Sequence, residues 1–132
     1  MSEINRPSDN NHILSENIDS HPLMIDIKEM ALKNTRSSTA VWSGRHLQLN
    51  LLCVPPHSET GNIRHSARDQ FLCVSHGTGL AVTGKETTCM DYHCQLRENS
   101  SVFIPCKTWL NLINTGNESL KLYIIQSLPQ TC

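Results

Sequence analysis

Phe103-Ile-Pro-Cys-Lys-Thr-Trp-Leu-Asn-Leu-Ile-Asn-Thr-Gly116 is the stretch whose reading decides the fold of this chain. A short apolar run closes at Pro105, which has no amide hydrogen to give to a sheet ladder, and a second run begins at Trp109. Side chains on a strand change face at every step, so Leu110, Leu112 and Asn114 share one side and Trp109, Asn111 and Ile113 the other. Asn114-Thr-Gly-Asn-Glu118 then reads as a turn into Leu120-Lys-Leu-Tyr-Ile-Ile125, another apolar run of strand length.

Upstream the same rhythm repeats. His46-Leu-Gln-Leu-Asn-Leu-Leu-Cys-Val54 sets Leu47, Leu49, Leu51 and Cys53 against mostly polar neighbours and stops at Pro55-Pro56, which predicts a half-buried strand. Gln70-Phe-Leu-Cys-Val-Ser75 and Leu80-Ala-Val-Thr83 flank His76-Gly-Thr-Gly79, which reads as a glycine-containing hairpin turn. Many short strands at such spacing predict an antiparallel sandwich or barrel. Only Asp26-Ile-Lys-Glu-Met-Ala-Leu-Lys-Asn34 carries helical spacing, with Asp26 as the cap, Glu29 three residues on, and Ile27, Met30 and Ala31 on one face. Residues 1–22 are polar and without periodicity, and are expected to form a flexible tail before a single domain over 23–132.

Size and charge bound the function. A chain of 132 residues is about one domain and buries enough surface to fold without staples. The net charge of -1 gives no basic stripe for nucleic acid or anionic lipid, so neither is an expected partner. Apolar runs fall well short of the roughly 18 residues of a membrane span, and Met1-Ser-Glu-Ile-Asn lacks the basic start of a secretory signal, so a cytoplasmic location is expected. The six cysteines, at 53, 73, 89, 94, 106 and 132, are an even number that invites a disulfide reading, but a reducing compartment favours free thiols. Cys53 and Cys73 sit in apolar runs as small fillers, and Cys132 is expected to be an exposed, oxidisable thiol.

Over residues 25–129 the order of these features resembles a small single-domain cupin. The resemblance implies an all-β fold, a double-stranded β-helix or jelly-roll barrel with one short N-terminal helix. Cupins carry two linked signatures whose three histidines and one glutamate hold a metal inside the barrel. In the first signature His65 falls on the second histidine, Ile63 on the first, Gln70 on the glutamate, and Gly77 on the closing glycine. In the second, Pro105 and Asn114 match, Asn99 and Lys107 replace glycines, and Leu110 replaces the histidine. The wording Thr108-Trp109 and Asn111-Leu-Ile-Asn-Thr-Gly116 is similar to a subgroup of uncharacterised bacterial cupins.

A protein-held divalent metal takes three or four nitrogen, oxygen or sulfur ligands, and the matched positions supply only His65 and Gln70. No metal cofactor is therefore favoured, although a divalent metal with non-standard ligands is the second reading. His65 is expected to be a hydrogen-bonded, barrel-lining histidine. Alternation places Ile63, His65, Gln70, Leu72, Val74, Leu110, Leu112 and Asn114 along the interior, an aliphatic pocket with three polar groups that suits an unknown small molecule. Phe71, Cys73 and Trp109 point the other way, onto a face covered by a helix or a second subunit; the resemblance implies a homodimer.

Two local clusters carry further chemistry. Cys89-Met-Asp-Tyr-His93-Cys94 resembles half of a zinc site without its partner half, and Cys106 beside Lys107 is a candidate reactive thiol. Three functions follow. The first is a small-molecule-binding or structural homodimer with no catalytic residue and a degraded metal site. The second is a metal-dependent oxygenase or isomerase that recruits His57, His76 or Cys106 beside His65 and Gln70. The third is a metal-free isomerase or epimerase with His65 as base within reach of Tyr123.

Overall fold

The computed structural model describes residues 21–65 and 67–128. The expected tail, apart from His21 and Pro22, and Cys132 lie outside the described residues.

Helix α1 (Ile27–Lys33) forms where the capping pattern requires it. The Asp26 carboxylate accepts the Glu29 N–H at 3.0 Å, which satisfies one of the donors that a helix start leaves free. The helix stops at Asn34, whose side-chain oxygen accepts from Thr39 Oγ1 at 2.7 Å and from the Arg36 N–H at 3.2 Å, tying the turn that follows.

Among the described residues nine strands follow: β1 (Ser38–Ser43), β2 (Leu47–Val54), β3 (Ile63–Arg64), β4 (Gln70–His76), β5 (Gly79–Gly84), β6 (Tyr92–Leu96), β7 (Ser101–Ile104), β8 (Trp109–Asn114) and β9 (Leu120–Ser127). They form two antiparallel sheets, one in the order β1-β2-β9-β4-β7 and the other β3-β8-β5-β6. From β2 to β9 the chain changes sheet at every step except β5 to β6. This alternation is the winding of a jelly roll, as the alternating sequence and its resemblance led us to expect.

The expected hairpin at His76-Gly-Thr-Gly79 is overturned, because β4 and β5 belong to different sheets. Its glycines serve a crossing between sheets. Gly77 has φ of +102°, and a Cβ there would lie 3.0 Å from both Leu120 Cα and Ser119 O. Sequence identifies the turn residues, but it does not say whether the strands on either side pair.

Between the sheets, Leu72, Leu112, Leu120 and Leu122 are fully buried, and each contributes about 2 kcal/mol relative to an exposed position. A second cluster sits on the outer face of the larger sheet, where Ala31, Met30 and Ile27 of α1 pack on Val41, Leu49 and Leu51. The strand expected to be half-buried is therefore covered on both sides. Leu49, Leu51 and Cys53 are buried, with Leu49 and Leu51 beneath the helix, while Leu47 is 48% exposed. Their neighbours Gln48, Asn50, Leu52 and Val54 take the interior face.

Candidate functional site

The strands give the barrel two unlike ends. β2 enters and β9 leaves at one of them, where β4 and β8 also begin; this end is the mouth. Register places Gln48, Gln126 and Gln70 in one row across β2, β9 and β4, with Ile104 of β7 next in line. On the other sheet, Leu110 pairs with Thr83 and Ile63. Extending the β3–β8 register by one pair-step sets His65 against Thr108, and the Lys107 N–H donates to the His65 carbonyl at 3.0 Å.

Loops close this rim. Arg68 Nη1 donates to Gln48 Oε1 at 2.8 Å, so a guanidinium reaches the glutamine row. Asp69 accepts the Cys106 N–H at 2.9 Å and donates its own N–H to Ser127 Oγ at 3.0 Å. Gln70, Gln126, Thr83 and Thr108 are all buried. Among the described residues, Gln126 Oε1 and Thr108 Oγ1 are buried without a hydrogen-bond partner. Gln126 is 7% exposed and Thr108 8%, and each unanswered buried group costs about 1–3 kcal/mol. Burial holds the His65 imidazole below its ordinary pKa, and the nearby Arg68 charge lowers it further. His65 is therefore neutral at pH 7 and can both donate and accept.

The residues at the family's ligand positions do not fit a divalent metal. His65 offers one imidazole, Gln70 a neutral carboxamide, Leu110 methyl groups, and Ile63, paired with Leu110 and 36% exposed, an aliphatic side chain with no lone pair. Among the described residues no three His, Cys, Asp or Glu side chains gather in a metal-holding group. The non-standard candidates are elsewhere. His76 ends β4, roughly 20 Å along the strand from Gln70 at about 3.3 Å per residue, and its Nε2 meets Glu118 at 2.7 Å. His57 meets Asn117 Oδ1 at 3.2 Å, also at the far end. Cys106 is at the mouth but is disulfide-bonded, against the expectation of free thiols, while Cys53, Cys73, Cys89 and Cys94 are free. The half zinc site does not assemble: Cys94 packs towards the interior core, adjacent His93 faces the other way, and Cys89 donates to Asp91 Oδ2 at 3.7 Å.

Two further expectations change. Leu72, Val74 and Leu112 fill the core between the ends as packed side chains, in one cluster with Leu110 and Ile104. Asn114 is buried at the far end, where its Nδ2 donates to Val54 O at 2.9 Å and Glu118 O at 2.8 Å while its Oδ1 accepts the Gly116 N–H at 2.8 Å. It is a strut, with its side chain spent on backbone. Tyr123 belongs to the outer cluster beneath the helix, so it does not come together with His65. Its hydroxyl pKa is pushed up to about 12 by a hydrogen bond with Cys73 and by burial.

Sequence reasoning missed Gln126, Thr108, Gln48 and Arg68. Gln126 had a signal, since the alternation Leu120, Leu122, Ile124 reaches it in one more step. As expected, Trp109 faces away from the interior, where Arg64 Cζ lies 6.0 Å from its ring centroid. Phe71 also lies on an outer face, 4.9 Å from Phe103, which is 77% exposed. A separate groove of about 510 Å³ near the far end is lined by Thr78, Gln95, Arg97 and Ser100, none of them a site expected from sequence. No described helix is long and apolar enough to cross a membrane.

No family model matches the chain. It is 33% identical over 108 residues to the uncharacterized protein YrkC of Bacillus subtilis, covering 82% of this chain and 58% of YrkC. It spans about three-fifths of the length of the curated relatives it matches. Among solved structures, BH2720 from Bacillus halodurans is 33% identical, with a TM-score of 0.80 and 86% of each chain covered. A cupin-2 domain containing protein from Shewanella frigidimarina is 20% identical, with a TM-score of 0.61 over 81% of this chain and 95% of that one, a likeness of fold.

Proposed function

We propose that this chain, whose fold is like that of solved cupin-domain structures, binds a small organic ligand in the barrel mouth without a metal, and does so as a homodimer. The observation that carries the reading is Leu110. It is 2% exposed at the position where the family's second signature has its histidine, and its methyl groups lie where a ligand atom would have to be. The opposite wall supports the same reading, because Gln70 brings no negative charge and Arg68 brings a positive one. A dication would meet repulsion there and few lone pairs. The protein acts in this reading as a binding module of the cytoplasm and not as a metal-dependent oxygenase or isomerase.

A second copy is the occupant we assign to the outer aromatic face. Phe103 lies on β7, the edge strand of its sheet, where an exposed ring and unpaired backbone groups together suit a two-fold partner. Sedimentation should give a dimer, with Phe103→Glu shifting it to monomer; a wild-type monomer would refute the assignment.

Metal analysis tests the main claim. Full-length protein purified without chelator should carry iron, nickel, manganese and zinc well below one equivalent, and His65→Ala should change nothing. One retained equivalent that is lost in His65→Ala would overturn it.

A further inference from the structure

The unanswered atoms at the mouth describe the ligand they lack. Gln126 lies on the interior side of β9 between Gln48 and Gln70, more than nine-tenths buried, and its Oε1 has no donor among the described residues. A carboxamide oxygen only accepts, so what completes it must bring an O–H or N–H. Thr108 Oγ1, equally buried and unanswered, has a proton to give. The charge at this end is also informative. At the mouth, β2, β4, β9 and β5 carry Gln48, Gln70, Gln126 and Thr83, and Thr108 immediately precedes β8; none of these five is acidic. The formal charge reaching that row is the Arg68 guanidinium. One of its nitrogens engages Gln48, and a guanidinium carries five N–H donors in a fork that matches a carboxylate. Asp69, next in sequence, turns its Oδ1 to the Cys106 amide.

We infer that the mouth takes a small organic monoacid that also carries a hydroxyl, with its carboxylate on Arg68 and Thr108 and its hydroxyl donating to Gln126 Oε1. The inference rests on the ligand-binding reading of the mouth and adds the chemical class. A simple acid would leave the Gln126 oxygen unanswered. A neutral polyol would leave the guanidinium without its counter-charge, and a dianion would exceed the one guanidinium that reaches the glutamine row among the described residues.

Three probes separate these cases: glycolate, which has acid and hydroxyl; acetate, which has the acid alone; and glycolamide, its neutral isostere. Each is titrated into the full ¹⁵N-labelled chain while the glutamine side-chain amide and His65 ring resonances are followed. Glycolate should bind about tenfold more tightly than glycolamide, which lacks the charge on Arg68, and about threefold more tightly than acetate, which lacks only the neutral hydroxyl–carboxamide hydrogen bond. Arg68→Gln should weaken glycolate to the level of glycolamide, and Gln126→Leu to that of acetate. Thr108→Val, which keeps the side-chain shape, should also weaken glycolate and serves if a larger change disturbs folding. Glycolamide binding as tightly as glycolate would overturn the inference and leave a ligand site for neutral molecules. So would glycolate binding that Arg68→Gln leaves unchanged, or no shift with any of the three. The metal analysis stands apart from all these outcomes, so failure of the acid assignment is distinguishable from failure of the metal-free reading.

Discussion

Asn114 at the far end and Gln126 at the mouth are both carboxamides buried on interior-facing strand positions, and they are used in opposite ways. Asn114 makes three hydrogen bonds to backbone and holds the turn between β8 and β9 against the end of β2. Gln126 leaves its oxygen without a partner among the described residues. Charged and polar side chains at the two ends repeat the contrast. His57 and His76 at the far end are met by Asn117 and Glu118, whereas at the mouth the Arg68 guanidinium is met by the neutral Gln48. A buried polar group that the protein itself satisfies adds rigidity, and one that it leaves open costs stability and waits for something else. The far end is thus built as a plug and the mouth as a socket.

The contrast is most exposed to failure at Asn114. Asn114→Leu removes one donor serving two carbonyls and one acceptor, and should lower stability by about 4 kcal/mol in urea denaturation, from two or more buried groups left unpaired. A loss below about 1 kcal/mol would mean that the far end is not the rigid plug described. Leu112→Ala, in the packed layer between the ends, should cost about 3 kcal/mol through the cavity it leaves. A much smaller cost would show that the interior is already open there, and the pocket would then run deeper than the mouth. Gln126→Leu should behave in the opposite way to Asn114→Leu, changing stability by less than about 1 kcal/mol or raising it, because it removes an unsatisfied oxygen and no hydrogen bond that the protein makes with it. A large loss would show that Gln126 is structural after all.

The smallest effect concerns His65. Its folded pKa lies below the ordinary 6.5, so between that folded value and 6.5 the unfolded chain binds more protons. The folded state is unpenalised above 6.5, loses stability as pH falls through the window below it, and levels off below the folded pKa. Urea midpoints of wild type and His65→Gln at about pH 7.5 and about pH 5 should show a smaller acid loss in the variant. An identical loss in both would remove His65 from the mouth's electrostatics. The side chain keeps much of its solvent contact, so the difference should be slight.

Much of the frame was legible because local rules decide it. Asp26 and Glu29 marked the helix start to the residue, and two-residue alternation put Leu110, Leu112 and Asn114 on one face. What alternation does not reveal is which face looks inward when both are covered. On β2 the leucines at 49 and 51 went beneath α1, and the polar neighbours Gln48 and Asn50 took the interior. The glutamine row was hidden for that reason, since its members come from strands far apart in sequence and meet only through register. His76-Gly-Thr-Gly79 misled for a related reason, because glycine marks a tight or crowded passage and not the partner of the strand that follows. Tyr123 was placed beside His65 on reactivity alone, and its position in the alternation of β9 already set it on the outer face.

An electron-density map of the mouth, from crystals of the full chain grown with glycolate, tests the central claim most directly. The account predicts density for the acid within hydrogen-bond reach of Gln126 Oε1 and Thr108 Oγ1, its carboxylate on Arg68, and no ion at His65. A metal coordinated by His65, or a mouth closed by its own side chains with both atoms satisfied internally, would contradict it.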